Sequence, residues 1–390
     1  MLATACTREE ELHWLALRMV PSLGARRAGQ LIERFRTPQA IFRASASELE
    51  AAGLLSAVAR SIASGCAFED AVVQQEKLLA NGAVAIPITD PRYPPRLREI
   101  FDPPLVLFAR GQTDLLGSVM IAVVGTRRPT PYGAAVAERL ASDLGLAGVT
   151  VASGMARGID TAAHRGALSA GAGTVAVFGC GVDVTYPSEN RKLAAQLAEK
   201  ALLVSEFPMG TPAYPQNFPV RNRIISGMSL GILVVEGAQY SGSSITARLA
   251  LDQGREVFAV PGNVTSKVSW GPNLLIKQGA KLVQDWNDVI VELPAGVRRQ
   301  LIDNGRRKLL EEGGATAELT QTSLGDGQAE TSPVSRRALE LLKVDEAVHI
   351  DALLEKMDGT TPSEIIAALF ELEMLGMIKQ LPGKNFVKVW

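Results

Sequence analysis

Cysteine, histidine and aromatic residues are all scarce in this 390-residue chain, and each scarcity removes a class of function. The three cysteines, Cys6, Cys66 and Cys180, are odd in number and widely separated. That excludes a disulfide framework and a cysteine-based zinc site, and predicts a protein of the reducing cytoplasm. The three histidines, His13, His164 and His349, lie far apart in sequence, so no metal-ligand spacing arises and no metal is predicted. Neither GxxxxGK[ST] nor GxGxxG occurs, which removes the usual signals of a nucleotide or dinucleotide cofactor. No uncharged apolar run approaches the ~18 residues of a membrane span. The first twenty residues carry Glu9, Glu10 and Glu11 rather than the apolar stretch of an export signal, so neither membrane nor export is expected.

What is present is a core of small aliphatic residues. Hydrophobic residues make up 47% of the chain and aromatics only 5%, the balance typical of α/β proteins. The length predicts two to three domains. Residues 1–84 read as a helical domain of the helix-hairpin-helix or SAM-like type. ELHWLALRMV is a helix, PSLG a turn, and Ala28, Leu31, Ile32 and Phe35 mark a second helix by their spacing. The amides of such a turn can meet a phosphate; a plain helical bundle with a glycine turn accounts for the pattern equally well.

From residue 85 to 300 the pattern becomes that of a Rossmann-like, doubly wound, mostly parallel sheet. The Pro-rich segment 85–119 reads as a connector packed on it. MIAVVG (120–125), VTVAS (149–153), TVAVFG (174–179), ALLVSE (201–206), GILVVEG (231–237) and EVFAVPG (256–262) are short, continuously apolar runs, most of them followed by helical stretches. Strands apolar on both faces, alternating with helices, form a parallel sheet covered on both sides. Residues 301–333 read as a flexible linker. Residues 334–390 read as a winged helix whose third helix, 362–375, carries Glu364, Glu371 and Glu373 and no Lys or Arg. An acidic third helix disfavours reading a DNA groove and favours partner docking.

The net charge is −1, yet residues 121–285 hold 15 Lys and Arg against 11 Asp and Glu, so a polyanion site is expected in the middle of the chain. Ligands of open α/β sheets sit beyond the carboxyl ends of the strands. Five loops there carry glycines, hydroxyls and arginines. They are VGTRRPTPYG, with Gly125, Thr126 and Arg127; SGMARGID, with Ser153, Gly154, Arg157 and Gly158; YPSENRK, with Arg191 and Lys192; FPVRNR, with Arg221, Asn222 and Arg223; and YSGSS, with Ser241, Gly242 and Ser243. A row of amides, hydroxyls and guanidinium groups matches successive phosphates of an unpaired strand. Asp160 and His164, four residues apart, are expected to bond to each other and lock their loop to the helix, and Asp183 supports a turn. Taken one at a time, a Gly-Ser turn is usually a helix cap, and Arg128, Arg165 or Arg191 a solvated surface group. Arg221 and Arg223 sit between apolar runs and need anions. Phosphate is preferred here over internal pairing with Glu206 or Glu236.

VGTRRPTPYG, SGMARGIDTAAH, GCGVDVTYPSEN, SEFPMGTPAYPQNFPVRNRIISGMS, VVEGAQYSGSSITARLAL and REVFAVPGNV, followed by GPNLLIKQGA, closely resemble in order the blocks of the bacterial DNA-processing protein A family (DprA/Smf). The resemblance covers roughly residues 85–285. It implies a cytoplasmic, non-enzymic protein of natural transformation that binds and protects incoming single-stranded DNA and loads the RecA recombinase onto it, as a homodimer through the Rossmann-like domain and without a cofactor. It places DNA contacts on Arg127, on Ser153-Gly154, on Arg191 or Lys192, and near Asn222. Thr126 and Thr130 stand where the family commonly has serine, which preserves the hydroxyls. Two alternatives remain: a Rossmann-like nucleotide hydrolase, whose PGGxGTxxE pattern is not found in VEGAQYSGSSITA, and a duplex-DNA regulator acting through the winged helix.

Overall fold

The computed structural model describes residues 7–239 and 241–301, and in the C-terminal part 333–342, 348–357, 360–361, 364–366, 368–369, 372, 378–381 and 385–388. The linker read at 301–333 lies, apart from its end residues, outside the described residues, as do Tyr240, Glu371 and Glu373. Two compact units divide the chain, residues 1–311 and 312–390.

The first unit is built on one nine-stranded sheet. Its strands are β1 (Ala83–Pro87), β2 (Val106–Gly111), β3 (Met120–Val124), β4 (Thr150–Ser153), β5 (Thr174–Phe178), β6 (Leu202–Ser205), β7 (Gly231–Val234), β8 (Glu256–Ala259) and β9 (Lys281–Leu282). Strands β3 to β7 are buried at every position, as expected of strands covered on both faces. The spatial order is β1-β2-β6-β5-β4-β3-β7-β8-β9. From β6 to β9 all pairings are parallel, and β1 and β2 extend the sheet antiparallel beyond β6.

All six predicted strands are present. The segment 85–119 is more than a connector: it completes β1 and forms β2. Its prolines obscure this because they cluster at strand ends and in the short helix that follows β1, leaving Val106–Gly111 free to pair on both sides. The chain winds outward from β3 through β4, β5 and β6, then returns to place β7 on the other side of β3. That reversal opens a crevice between the carboxyl ends of β3 and β7.

Before the sheet come α1 (Arg8–Met19), α2 (Ala25–Phe35), α3 (Pro38–Arg43), α4 (Ala46–Ala51), α5 (Ser56–Ala63) and α6 (Phe68–Ala80). They do not form a separate core. Leu15, Leu31, Ile41 and Ile62 pack in one cluster with Phe108, Phe178 and Leu197 of the sheet region. Helix α7 (Pro95–Arg98) joins α11 (Asn217–Met228) and α12 (Gly242–Asp252) on one sheet face, while α8 (Pro131–Leu146) and α9 (Ile159–Ser169) cover the other. Helices α10 (Arg191–Lys200), α13 (Trp270–Lys277) and α14 (Asn287–Ile290) complete the unit.

The second unit holds α15 (Pro333–Leu341), β10 (Val348–His349), α16 (Ile350–Lys356), β11 (Ile378–Leu381) and β12 (Asn385–Lys388). The strands pair antiparallel in the order β10-β12-β11 around a core that includes Leu353, Ile365, Leu369 and Phe386. This is the predicted winged helix. Among the described residues, no helix is long and apolar enough to cross a membrane.

Candidate nucleic-acid interface

A cleft of about 530 Å³ occupies the crevice beyond β3 and β7. All five predicted loops reach it: Gly125, Thr126 and Arg127 after β3, Ala156 and Asp160 around the start of α9, Tyr186 of YPSENRK, Arg221 and Asn222 on α11, and Ser241, Gly242 and Ser243 at the start of α12. Tyr186 and Phe218 complete one wall. Their rings lie 5.3 Å apart, and the exposed Arg127 guanidinium sits 5.6 Å from the centre of the Phe218 ring. One cation, two aromatic faces and unpaired helix-start amides thus share one opening. Such groups suit a phosphate and the base beside it.

The loops are held in place by buried polar pairs. Thr130 caps α8 by accepting from the Gly133 amide (3.0 Å) and donates its own proton to Glu236 (2.6 Å), whose carboxylate also takes the Thr130 amide (2.9 Å). The Glu236 carbonyl accepts the Thr126 amide at 2.7 Å. Glu236 therefore anchors the β3–α8 loop and is not the partner of Arg221 or Arg223. Ser241 caps α12 through the Ser244 amide (3.4 Å), with Ser243 Oγ 2.7 Å from its own Oγ. Asn190, which sequence reasoning passed over, ties the YPSEN turn to the next loop: its Nδ2 donates to Met155 O (3.0 Å) and Thr161 Oγ1 (2.9 Å). The asparagine in SEN was its only trace in the sequence.

Arg221 is 3% exposed and forms the floor of the cleft. Its Nη1 donates to the carbonyl of Val177 at 2.6 Å. A Cβ on Gly154 would stand 2.0 Å from that Nη1, so only glycine admits the guanidinium. Burial lowers the Arg221 pKa to about 10, with Asp160 opposing the shift, so the group is charged at neutral pH. Burial pushes the Asp160 carboxyl up, opposed first by Arg221 and then by the amides of Ala156 (3.3 Å) and Gly154 (3.2 Å) that it accepts.

The expected Asp160–His164 bond is not formed. Asp160 turns back to accept the loop amides of Gly154 and Ala156, and Gly158 is the N-cap of α9. His164 points into the sheet. Thr174 Oγ1 gives its single proton to Val151 O (2.7 Å) and therefore accepts from His164 Nδ1 (2.7 Å). Burial, with help from Arg221, lowers the His164 pKa to about 3, leaving a neutral ring.

Of the remaining predicted contacts, Arg157 lies beside the cleft, in a small pocket that it lines with Arg127, Gly154, Tyr186 and Phe218, and the others fall elsewhere. Arg223 lies on the opposite side of α11 from Arg221, since two residues turn a helix by about 200°. It is ion-paired with Glu206 (2.6 Å) and Asp102 (3.1 Å), so the internal pairing ranked second from the sequence is the one formed. Ser153 is fully buried and donates to Val123 O at 2.7 Å, inside the sheet end. Arg157 is exposed and pairs with Glu189 (2.7 Å). Arg191 and Lys192 are exposed at the start of α10 and do not line the cleft. Asp183 accepts the Gly210 amide at 2.9 Å, which ties its loop to the segment after β6.

Ser153→Ala is therefore expected to cost about 1 kcal/mol of stability, one buried hydrogen bond, and to leave the affinity for oligothymidine unchanged. Thermal melts and a fluorescence titration check both. Lost affinity at unchanged stability would return Ser153 to the interface.

Residues 84–294 match the model of the family described as DNA recombination-mediator protein A. The chain belongs to that family. Residues 324–384 match the DprA winged helix domain, in line with the C-terminal unit. Protein Smf of Escherichia coli K12 is 40% identical over 301 residues, covering 76% of this chain and 75% of its own. DNA processing protein DprA of Bacillus subtilis 168 is 45% identical over 215 residues, covering 55% of this chain and 72% of its own. Among solved structures, DNA processing protein A of Streptococcus pneumoniae aligns with a TM-score of 0.65 at 33% identity, over 73% of this chain and 98% of that one. DNA processing protein A of Helicobacter pylori, described for its single-stranded DNA binding mode, aligns with a TM-score of 0.50 at 28% identity, over 57% of this chain and 96% of that one.

Proposed function

We propose that this protein binds single-stranded DNA through the cleft at the β3–β7 crevice. In natural transformation it protects the incoming strand and loads the RecA recombinase onto it. It acts without a cofactor or catalytic step, as a cytoplasmic homodimer joined through its sheet domain. The observation that carries the DNA-binding reading is Arg127, an exposed cation held over Phe218 beside Tyr186, at the mouth of a cleft floored by buried Arg221. Family membership supports a role in DNA processing and recombination, and the link to RecA is what the resemblance of the sequence motifs implies. A nucleotide hydrolase would need an acid or base aimed at its substrate. Here the Asp160 carboxylate is engaged by two amides, and His164 is sealed in the sheet end.

Arg127→Ala is expected to weaken oligothymidine binding about tenfold, or 1.4 kcal/mol. It should flatten the dependence of log K on log salt by about 0.7, one phosphate of a single strand. Anisotropy titrations at several salt concentrations measure both, with nucleotide hydrolysis assayed in parallel. Affinity unchanged by the substitution rejects the role given to Arg127, and hydrolysis without strand binding would favour an enzyme.

A further inference from the structure

A second pocket, of about 460 Å³, lies beside the carboxyl end of β6, between the α1–α2 turn and the sheet. It is separate from the cleft, and α11 runs between them: Asn222 and Pro219 line one, Val220 and Arg223 the other. The PSLG turn delivers the start of α2 to its rim, where Gly24, Ala25 and Arg26 face the opening. No side chain caps this helix end, so its first amides lack intrahelical acceptors and carry the positive end of the helix dipole.

Three guanidinium groups surround the opening. Arg18 Nη2 donates to the backbone carbonyl of Glu206 (3.0 Å), and the Arg26 guanidinium lies 4.5 Å from the centre of the exposed Phe101 ring. Arg223, 8% exposed, pairs with Glu206 and Asp102, but its Nη1 has no hydrogen-bond partner. Three cations thus face two carboxylates: Arg223 is ion-paired with both, Glu206 also attracts Arg18, and one buried oxygen of Glu206 has no hydrogen-bond partner, so the pocket keeps an excess of one positive charge. Arg26 has no ion pair among the described residues, and Arg18 adds to its bond with the Glu206 carbonyl only the attraction of the Glu206 carboxylate, which Arg223 already engages. A small anion of high charge density, a phosphate, complements that excess together with the free amides.

We propose that this pocket holds a backbone phosphate of the same single strand that fills the cleft, so that the strand crosses α11 and ends its path on the α1–α2 turn. The inference rests on the single-strand reading of the cleft. It gives the N-terminal helices a function in DNA binding and predicts a footprint longer than the cleft alone supplies. Short strands occupy the cleft, and only strands able to span α11 reach the turn.

The test is a titration of the full chain and of Arg26→Glu, Arg26→Lys and Arg127→Ala with oligothymidines of increasing length, and with duplexes of the same lengths. Arg26 is exposed, and thermal melts confirm that each variant folds. Arg26→Glu is expected to match the native chain on the shortest strands and to lose roughly tenfold on the longest. Its salt slope should fall by about 0.7 only on the longest strands. Arg26→Lys, which keeps the charge but alters the contact with Phe101, should retain most of the affinity. Arg26→Glu indistinguishable from the native chain at every length, while Arg127→Ala is weakened, overturns the second site alone. Arg127→Ala undiminished at every length overturns the reading of the cleft and this proposal with it. A loss confined to duplexes also overturns it.

Discussion

Arg221→Met is expected to destabilise the protein by about 3 to 5 kcal/mol, the cost of leaving a buried carboxylate without the buried cation whose charge offsets it. Methionine fills much of the space but leaves Asp160 as a buried carboxylate with only the two loop amides, and leaves the Val177 carbonyl without its 2.6 Å donor. The loss should depend on pH. Burial already raises the Asp160 carboxyl above its ordinary value, and Arg221 is the first influence opposing that rise. Without the arginine it rises further. The folded variant then holds a proton that the unfolded chain has released, so its stability falls as pH increases through that window and recovers on acidification. Urea melts from about pH 8 to about pH 5 should show the deficit shrinking toward the acid end. Adding Asp160→Asn should restore part of the stability, because the uncompensated charge is gone. A variant that melts like the native chain, or a deficit flat across that range, would remove Arg221 from its structural role. Weakened DNA binding by Arg221→Met on its own therefore cannot assign a phosphate contact. Arg127→Ala, whose side chain is exposed, reports on binding without that cost.

The two arginines of FPVRNR also show where sequence reasoning stops. Both sit on an apolar helix and both need anions, and that much is legible from the run itself. Which anion each one meets depends on the helical turn between them and on what the sheet places on each side. Glu206 follows β6 and Asp102 precedes β2, so neither is near Arg223 in sequence, and the segment supplying Asp102 reads as a connector. The Asp160–His164 spacing failed for a similar reason. Four residues permit a contact on a helix, but Asp160 stands in the first turn, where loop amides compete for it, and His164 looks toward a threonine on β5. Strands were readable because burial on both faces leaves a continuous apolar run. The switch point between β3 and β7 followed from the alternation of strands and helices only in outline. The particular meeting of Arg127, Tyr186 and Phe218 was not legible, because two separate loops and the start of α11 supply them.

Gly158→Ala is expected to damage stability and binding together. Gly158 has φ +79° and ψ −124°, a conformation that costs an L-residue about 1 to 3 kcal/mol. An added Cβ would also lie 2.4 Å from Thr126 O, 2.7 Å from Pro129 Cδ and 2.8 Å from the Arg127 carbonyl carbon. These are mostly backbone atoms and cannot swing aside, so relief requires moving the β3–α8 loop, at a further cost of about 1 to 3 kcal/mol for overpacking. That loop is fixed from its other side, by the Thr126 amide on Glu236 O (2.7 Å) and by the Glu236 carboxylate on Thr130. The strain therefore falls on the residues between those anchors, Arg127, Arg128 and Pro129. Arg127 should leave its seat over Phe218, and the Ile159 amide should lose its 3.2 Å bond to Thr126 O. The expected result is a melting temperature well below the native one and an oligothymidine affinity reduced at least as far as in Arg127→Ala. Native stability in Gly158→Ala would mean that the two loops are not locked against each other. Native affinity in a destabilised variant would mean that the position of Arg127 over Phe218 is not what holds the strand.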